Sequence, residues 1–304
     1  MLLAVQTLNG LQLGVLLFLI AAGLTLVFGV MDFINLAHGV QYMMGAYFAV
    51  TAYMLTGSFA ASILLALAAS LAFGLLLQWL VFRHLQKRDH LDQVLGTFGI
   101  ILFLNEGARI LWGPAPLSFP VPEALSGAFV IMPGLLYPVY RVGIIAAGLA
   151  VALLLWLLIA RTRIGMLIRA GATDAPMVSA LGVDIGRLFA WVFGFGSMLA
   201  GFAGMMAAPI LAVEPNMGDN LLILAFVVIV IGGIGSVRGA FVAALLIGLV
   251  DTLGRSFATD VMKLFLSSSA ANDVGPAIAS MLIYVLMAVV LFFRPAGLFP
   301  ARGV

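Results

Sequence analysis

Apolar runs of about 20 residues, the length needed to cross roughly 30 Å of hydrocarbon, recur from one end of the chain to the other. They lie near Leu8–Val30, Val40–Leu55, Ala60–Phe82, Val94–Trp112, Pro138–Ala160, Leu188–Leu211 and Pro276–Phe293. A further apolar stretch, Leu221–Val250, is interrupted by Gly232, Gly233, Gly235, Ser236, Arg238 and Gly239, and reads either as two short helices or as one re-entrant pair. Irregular backbone at membrane depth is tolerated only where protein or a water-filled cavity satisfies its polar groups. The pattern predicts an all-α fold: a polytopic membrane helix bundle of about eight transmembrane helices, with broken or re-entrant segments near 31–39 and 232–239. Residues 1–304 form a single transmembrane domain in this reading.

Composition agrees, with 64% hydrophobic and 9% charged residues over 304 positions; a soluble domain carries roughly 25% charged residues. Cys is absent, which excludes disulfides, thiolate catalysis and Cys-based metal sites. The three histidines, His38, His84 and His90, are too few for a His-rich metal cluster, so no metal is expected. The N-terminal MLLAVQTLNG lacks the basic stretch of a secretory signal peptide, so the first span is expected to be retained. With a net charge of +2, and Lys87 and Lys263 as its lysines, the chain has no dense basic face for nucleic acid.

The basic residues instead mark orientation, because short Arg- and Lys-rich loops stay on the cytoplasmic side. One cluster is Arg83, Lys87 and Arg88, a second Arg161, Arg163, Arg169 and Arg187, a third Arg294 and Arg302. The Pro-rich loop 113–137 and the segment Val213–Asn220, which carries Glu214 and Asp219, lack basic residues and read as external. If Leu8–Val30 and Val40–Leu55 each cross once, the alternation places the N-terminus outside; a break at Met31–Gly39 inside the membrane leaves its side open. Arg255 and Lys263, in a loop that the same count makes external, run against it.

Three groups of residues carry candidate chemistry. In MDFINLAHGVQYMMG, Asn35, His38 and Gln41 are spaced i, i+3, i+6 and Gly45 follows, so a helical stretch would align all four on one face. Such a polar stripe either lines a substrate route or hydrogen-bonds between helices. Glu106 and Arg109, at i, i+3 in the fourth span, read as an interfacial ion pair or as part of a proton relay. In the cytoplasmic loop 161–187, Thr173 or Asp174 can cap a helix of about seven residues, with Pro176 in its first turn and Gly182 at its stop. Met177, Val178 and Leu181 give that helix an apolar face, suited either to a cytoplasmic partner or to the chain's own bundle.

A phosphate-binding loop ends in Gly-Lys, and neither Lys87 nor Lys263 follows a glycine, so the chain is not expected to hydrolyse ATP. No serine nucleophile elbow or His-Glu-x-x-His pattern occurs. Two further classes stand beside a transport subunit: a self-sufficient ion-coupled carrier or channel using Glu106, Arg109 and His38, and a membrane-embedded enzyme.

Over essentially its whole length the sequence resembles the permeases of branched-chain amino acid ABC transporters, specifically the H-type subunit. GLTLVFGVMDFINLAHGVQYMMGAY (Gly23–Tyr47) is similar to the family's N-terminal signature, and RTRIGMLIRAGATDAPMVSALGVD (Arg161–Asp184) to its coupling loop. VIGGIGSVRGAFVAALLIG (Val230–Gly248) and the terminal FRPAGLF are similar to its C-terminal segments. The resemblance implies a non-catalytic permease subunit of the bacterial inner membrane. Its partners would be a second, M-type permease subunit, two cytoplasmic ATPases that hold ATP and Mg, and a periplasmic substrate-binding protein. By that analogy Arg163–Leu181 transmits ATP-driven motion, with Arg169 and Asp174 as polar contacts.

Overall fold

The structure, a computed structural model, describes residues 2–132 and 135–300; Arg302 of the third basic cluster lies outside them. In chain order the helices are α1 (Leu2–Met31), α2 (His38–Thr56), α3 (Phe59–Leu77), α4 (Arg83–Leu85), α5 (His90–Trp112), α6 (Val139–Arg161), α7 (Arg163–Thr173), α8 (Ala175–Ala180), α9 (Ile185–Ala207), α10 (Asp219–Gly232), α11 (Val237–Met262) and α12 (Ser268–Phe293). A π-helical turn, Gln78–Phe82, joins α3 to α4. Among the described residues seven helical units are long and apolar enough to cross a membrane: α1, α3 through α4, α5, α6, α9, α11 and α12.

The two expected breaks are present. The first separates α1 from α2, with Asp32 in the left-handed region at φ 48°. The second separates α10 from α11 at Gly233 (φ 102°) and Gly235 (φ 78°), after which Ser236 caps α11 through Gly239 N–H. Of the two readings of Leu221–Val250, neither holds as stated: α10 has 14 residues, but α11 is a full span of 26.

Two expectations are corrected. Arg255 is not a loop cation: α11 continues to Met262, and within it Arg255 pairs with Asp251 at 2.8 Å, while Lys263 sits in the turn that follows the helix and pairs back to Asp260 at 3.1 Å. Carboxylates three or four residues away let the helix extend past the apolar stretch. Asp219 is not in an external loop but opens α10. Within the Pro-rich loop, β1 (Ala128–Met132) and β2 (Leu135–Pro138) form an antiparallel hairpin, and Leu117 exchanges both backbone hydrogen bonds with Val213. That last bridge puts the two external segments side by side.

α1 sits at the centre, buried almost continuously from Gly14 to Val27, whereas α5, α6 and α12 present Leu, Ile and Phe side chains outward. Lipid tails are as apolar as leucine, so helices associate in a bilayer through close packing at small residues. Gly10 and Gly14 of α1 lie on the backbone of α11 at Gly248 and Ala244, and Gly23 on α9 at Gly196. Gly45 of α2 meets Gly201 of α9, and Gly204 meets the Tyr42 carbonyl. A Cβ on Gly14 would stand 2.8 Å from the Ala244 carbonyl oxygen, inside any real contact.

Gly14→Val and Gly204→Val are therefore expected to lower the thermal midpoint of the detergent-solubilised protein, by the equivalent of about 1–3 kcal/mol of overpacking. Gly107→Ala on α5, where a Cβ meets nothing within 4 Å, is expected to leave the midpoint unchanged. Thermal unfolding monitored by circular dichroism checks both.

Candidate functional site

The polar stretch after α1 is built around the first break. Because α2 begins at His38, Asn35 does not share a helical face with His38 and Gln41, as its spacing suggested; it lies in the preceding turn, where its carbonyl accepts the His38 N–H at 3.4 Å. The fold nevertheless buries Asn35, His38, Gln41 and Gly45 completely or nearly so. His38 Nε2 donates to the Ile20 carbonyl oxygen at 3.1 Å, which leaves Nδ1 as an acceptor. Ile20 lies in the middle of α1, a helix about 45 Å long at 1.5 Å per residue, so α2 starts inside the membrane.

Gly39, at the start of α2, packs against Gly218, the residue before α10. Two helix N-termini thus meet within the bundle, with the positive ends of both dipoles near one point. Around them, Thr25 Oγ1, both polar side-chain atoms of Asn35 and of Gln41, His38 Nδ1 and Tyr42 Oη are buried without a hydrogen-bond partner among the described residues. Unpaired buried groups cost about 1–3 kcal/mol each, so a cluster of them calls for a role outside packing.

Two residues of α5 brace the breaks: Asn105, which the sequence places beside Glu106 and Arg109 in the fourth span without a role of its own, and Gln93, which sequence reasoning did not single out. Gln93, buried at the start of α5, accepts the Ile34 N–H at 3.1 Å and donates to the Arg88 carbonyl at 3.1 Å. Asn105, buried on α5, accepts the Asn216 N–H at 3.3 Å, holding the chain that leads into α10. Both satisfy backbone that no helix satisfies, and their signal was an amide inside an otherwise apolar span. Glu106 and Arg109 pair at 3.5 Å on the exposed side of α5 and do not join His38.

The loop 161–187 holds two helices where one was expected. Asp174 caps α8 through Met177 N–H at 2.9 Å, Pro176 sits in its first turn, and Gly182 ends it at φ 89°. Before it runs the unanticipated α7, capped by Thr162 through Gly165 N–H at 3.0 Å and carrying Arg163 and Arg169. Gly165 lies against the carbonyls of Leu158 and Ile159, so α7 folds back on the end of α6, while Gly171 touches Leu188 and Ile185 of α9. The expected apolar face divides: Val178 is buried, but Met177 is 61% and Leu181 76% exposed. Met177 and Leu181 lie four residues apart on the outward side of a helix that is anchored at both ends.

The Gly-rich segment is a junction. Gly232 packs on Gly239 and Gly29 on Gly235, while Gly233 faces the Phe299 and Ala296 carbonyls. The terminal FRPAGLF turn docks there through Leu298 N–H to Ile231 carbonyl at 2.8 Å and Phe299 N–H to Gly232 carbonyl at 3.0 Å. Arg238 stays exposed beside it.

Comparison with known proteins fits this architecture. Residues 6–291 match the family model for the branched-chain amino acid transport system permease component. The chain is 31% identical to the high-affinity branched-chain amino acid transport system permease protein BraD of Pseudomonas aeruginosa, over 96% of this chain and 94% of the relative. It is 28% identical to the LivH permease protein of Escherichia coli K12, over 85% and 88%. A probable LivH permease of Methanocaldococcus jannaschii is 27% identical over 78% and 76%. No solved structure matches the chain. A family match over nearly every span, on a bundle with seven membrane-crossing helices, makes this chain a multi-pass member of the branched-chain amino acid transport permease family.

Proposed function

We propose that this chain is the H-type permease subunit of an ATP-driven importer in the bacterial inner membrane. With a second permease subunit it forms the path for branched-chain amino acids or related small molecules, which a periplasmic binding protein delivers. ATP and Mg belong to two cytoplasmic ATPase subunits, and this chain performs no catalysis. The observation that carries the proposal is the α7–α8 segment: a capped helix pair, fastened to α6 and α9, that leaves Met177 and Leu181 exposed. Arg163, Arg169 and Asp174 supply polar groups around that apolar pair. Residues 116–119 and 208–212, in the two segments that read as external, line a shallow recess of about 280 Å³.

Asn35, His38, Gln41 and Gly45 are assigned to the translocation path. Their support is the coincidence of a broken helix, two meeting helix N-termini and unpaired polar atoms in one place. Broken helices with such N-termini form the substrate sites of many transporters. In this structure the cluster is closed within the subunit, so substrate would reach it in another state of the complex.

Co-purification and uptake test the first assignment. Met177→Asp with Leu181→Asp is expected to abolish association with the ATPases and ATP-dependent uptake while leaving the thermal midpoint near that of the unaltered protein; retained association would overturn the docking assignment. For the path, replacing a buried unpaired amide by a similar apolar side chain is expected to leave stability unchanged or raise it. Gln41→Met should therefore keep or raise the midpoint while cutting uptake at least about tenfold, a loss equivalent to about 1.4 kcal/mol of barrier. Unchanged uptake would make the cluster structural.

A further inference from the structure

At the end of the third span a recess of about 410 Å³ is lined by Gln78, Arg83, His84, Gln86, Lys87 and Gly186. Much of its surface is the carbon stems of these side chains, with the polar groups gathered at their tips. Gln78 is 4% exposed, and its Oε1 accepts from Gln86 Nε2 at 3.1 Å, which leaves the Gln78 amide N–H groups for the recess. Gly186 belongs to the first turn of α9, the positive end of a 23-residue helix. Arg83 and Lys87 pair with no carboxylate among the described residues. The nearest candidates are engaged elsewhere: Asp184 with Arg187 at 3.0 Å, and Asp89 with Asp92 N–H at 2.9 Å at the cap of α5. The lining therefore offers N–H donors and positive charge, the chemistry that receives a phosphate.

The position of the recess points to the source of that phosphate. One turn earlier on the same helix, Trp79 and Leu80 are 58% and 50% exposed on the outer surface of the bundle, where the span faces lipid. The Arg83 guanidinium lies over the Trp79 ring, 5.2 Å from its centroid. Tryptophan marks the level of the headgroups, and basic pockets at span ends on the cytoplasmic side receive anionic ones. The π-helical turn at Gln78–Phe82 inserts an extra residue there and rotates the face that follows it. Phe82 meanwhile stays locked between Phe33 and Phe193, so this end of the span is rigid.

We propose that this recess binds the phosphate headgroup of an anionic phospholipid, held by Arg83, Lys87 and the Gln78 amide, against the start of α9. The lipid would sit where the coupling loop re-enters the membrane.

The test uses the full chain, with the proteins that co-purify with it, reconstituted in nanodiscs of equal parts phosphatidylglycerol and phosphatidylcholine. Lipid retained through detergent extraction is counted by native mass spectrometry. The unaltered protein is expected to retain phosphatidylglycerol preferentially. In Arg83→Gln with Lys87→Gln that preference should fall on the order of tenfold, while Arg294→Gln, at another exposed cytoplasmic arginine, should leave it intact. If the double variant is not recovered, Lys87→Gln alone is expected to lose a severalfold part of the preference. Equal retention of the two lipids, or a preference that survives the substitutions, would overturn the proposal. Retention of inorganic phosphate by the recess with no phosphatidylglycerol bound would also overturn it and make the recess a site for the free ion.

Discussion

The crossing of α1 and α9 at Gly23 and Gly196 is the contact on which the rest of the bundle depends. At that point the Gly196 carbonyl and the His38 ring both lie where a side chain on Gly23 would stand. No gain in apolar burial separates helix–helix from helix–lipid contact in hydrocarbon, so the depth of approach decides which helices touch. Four more glycines on α9 and α11, at 194, 201, 204 and 248, extend the same device to α3, α2 and α1. The result is a thin-walled core in which α1 is enclosed and the larger apolar side chains are displaced to the lipid face.

That core has room for chain that is not helical. After α1 the backbone turns back and α2 starts at the depth of Ile20; after α9 it turns back and α10 starts at Gly218, beside Gly39. The two halves then continue alike: α3 and α11, each capped by a serine side chain, Ser58 and Ser236, return across the membrane. If the basic clusters orient the chain as the sequence suggests, α1 runs inward and α9 outward, and the halves then stand in opposite senses with the two glycines between them. Opposed repeats that meet at unwound helices are a recurring plan for transporters. Here Gln93 and Asn105, both on α5, supply the hydrogen bonds that the unwound segments lack.

Much of this was legible in the sequence because bilayer thickness imposes its own length on every span, and because charge marks the sides. The spans, both breaks, the cap at Asp174 and the stop at Gly182 follow from local rules. What escaped depends on pairing across the fold. The extent of α11 beyond Val250 rests on Asp251 and Asp260 compensating Arg255 and Lys263. The entry of α10 at Asp219 depends on Gly39 arriving from 180 residues away. The face shared by Asn35, His38 and Gln41 was inferred from helical spacing, yet the helix stops short of Asn35; burial, rather than periodicity, brings the three together. α7 escaped for a different reason: its Ile164, Leu167 and Ile168 make an amphipathic pattern that was passed over in a loop read by its charges, and its placement rests on Gly165 folding onto α6.

The same packing links the two ends of the molecule. α7 and α8 are fastened to α9 near Ile185 and Leu188, and α9 carries Gly196, Gly201 and Gly204 to the polar cluster, about 28 Å farther along one helix. At these glycines backbone meets backbone, with no flexible side chain between to absorb a displacement. In the proposed importer, a shift of α7 and α8 would reach Tyr42 and Gly45 through α9 as a rigid body, or it would separate the glycine contacts. Close packing makes the choice between those two discrete rather than graded, the property that a coupled gate of the proposed kind requires. The unpaired atoms of Asn35, Gln41 and His38 supply the other half: their missing hydrogen bonds raise the energy of the closed arrangement relative to one in which water or substrate completes them.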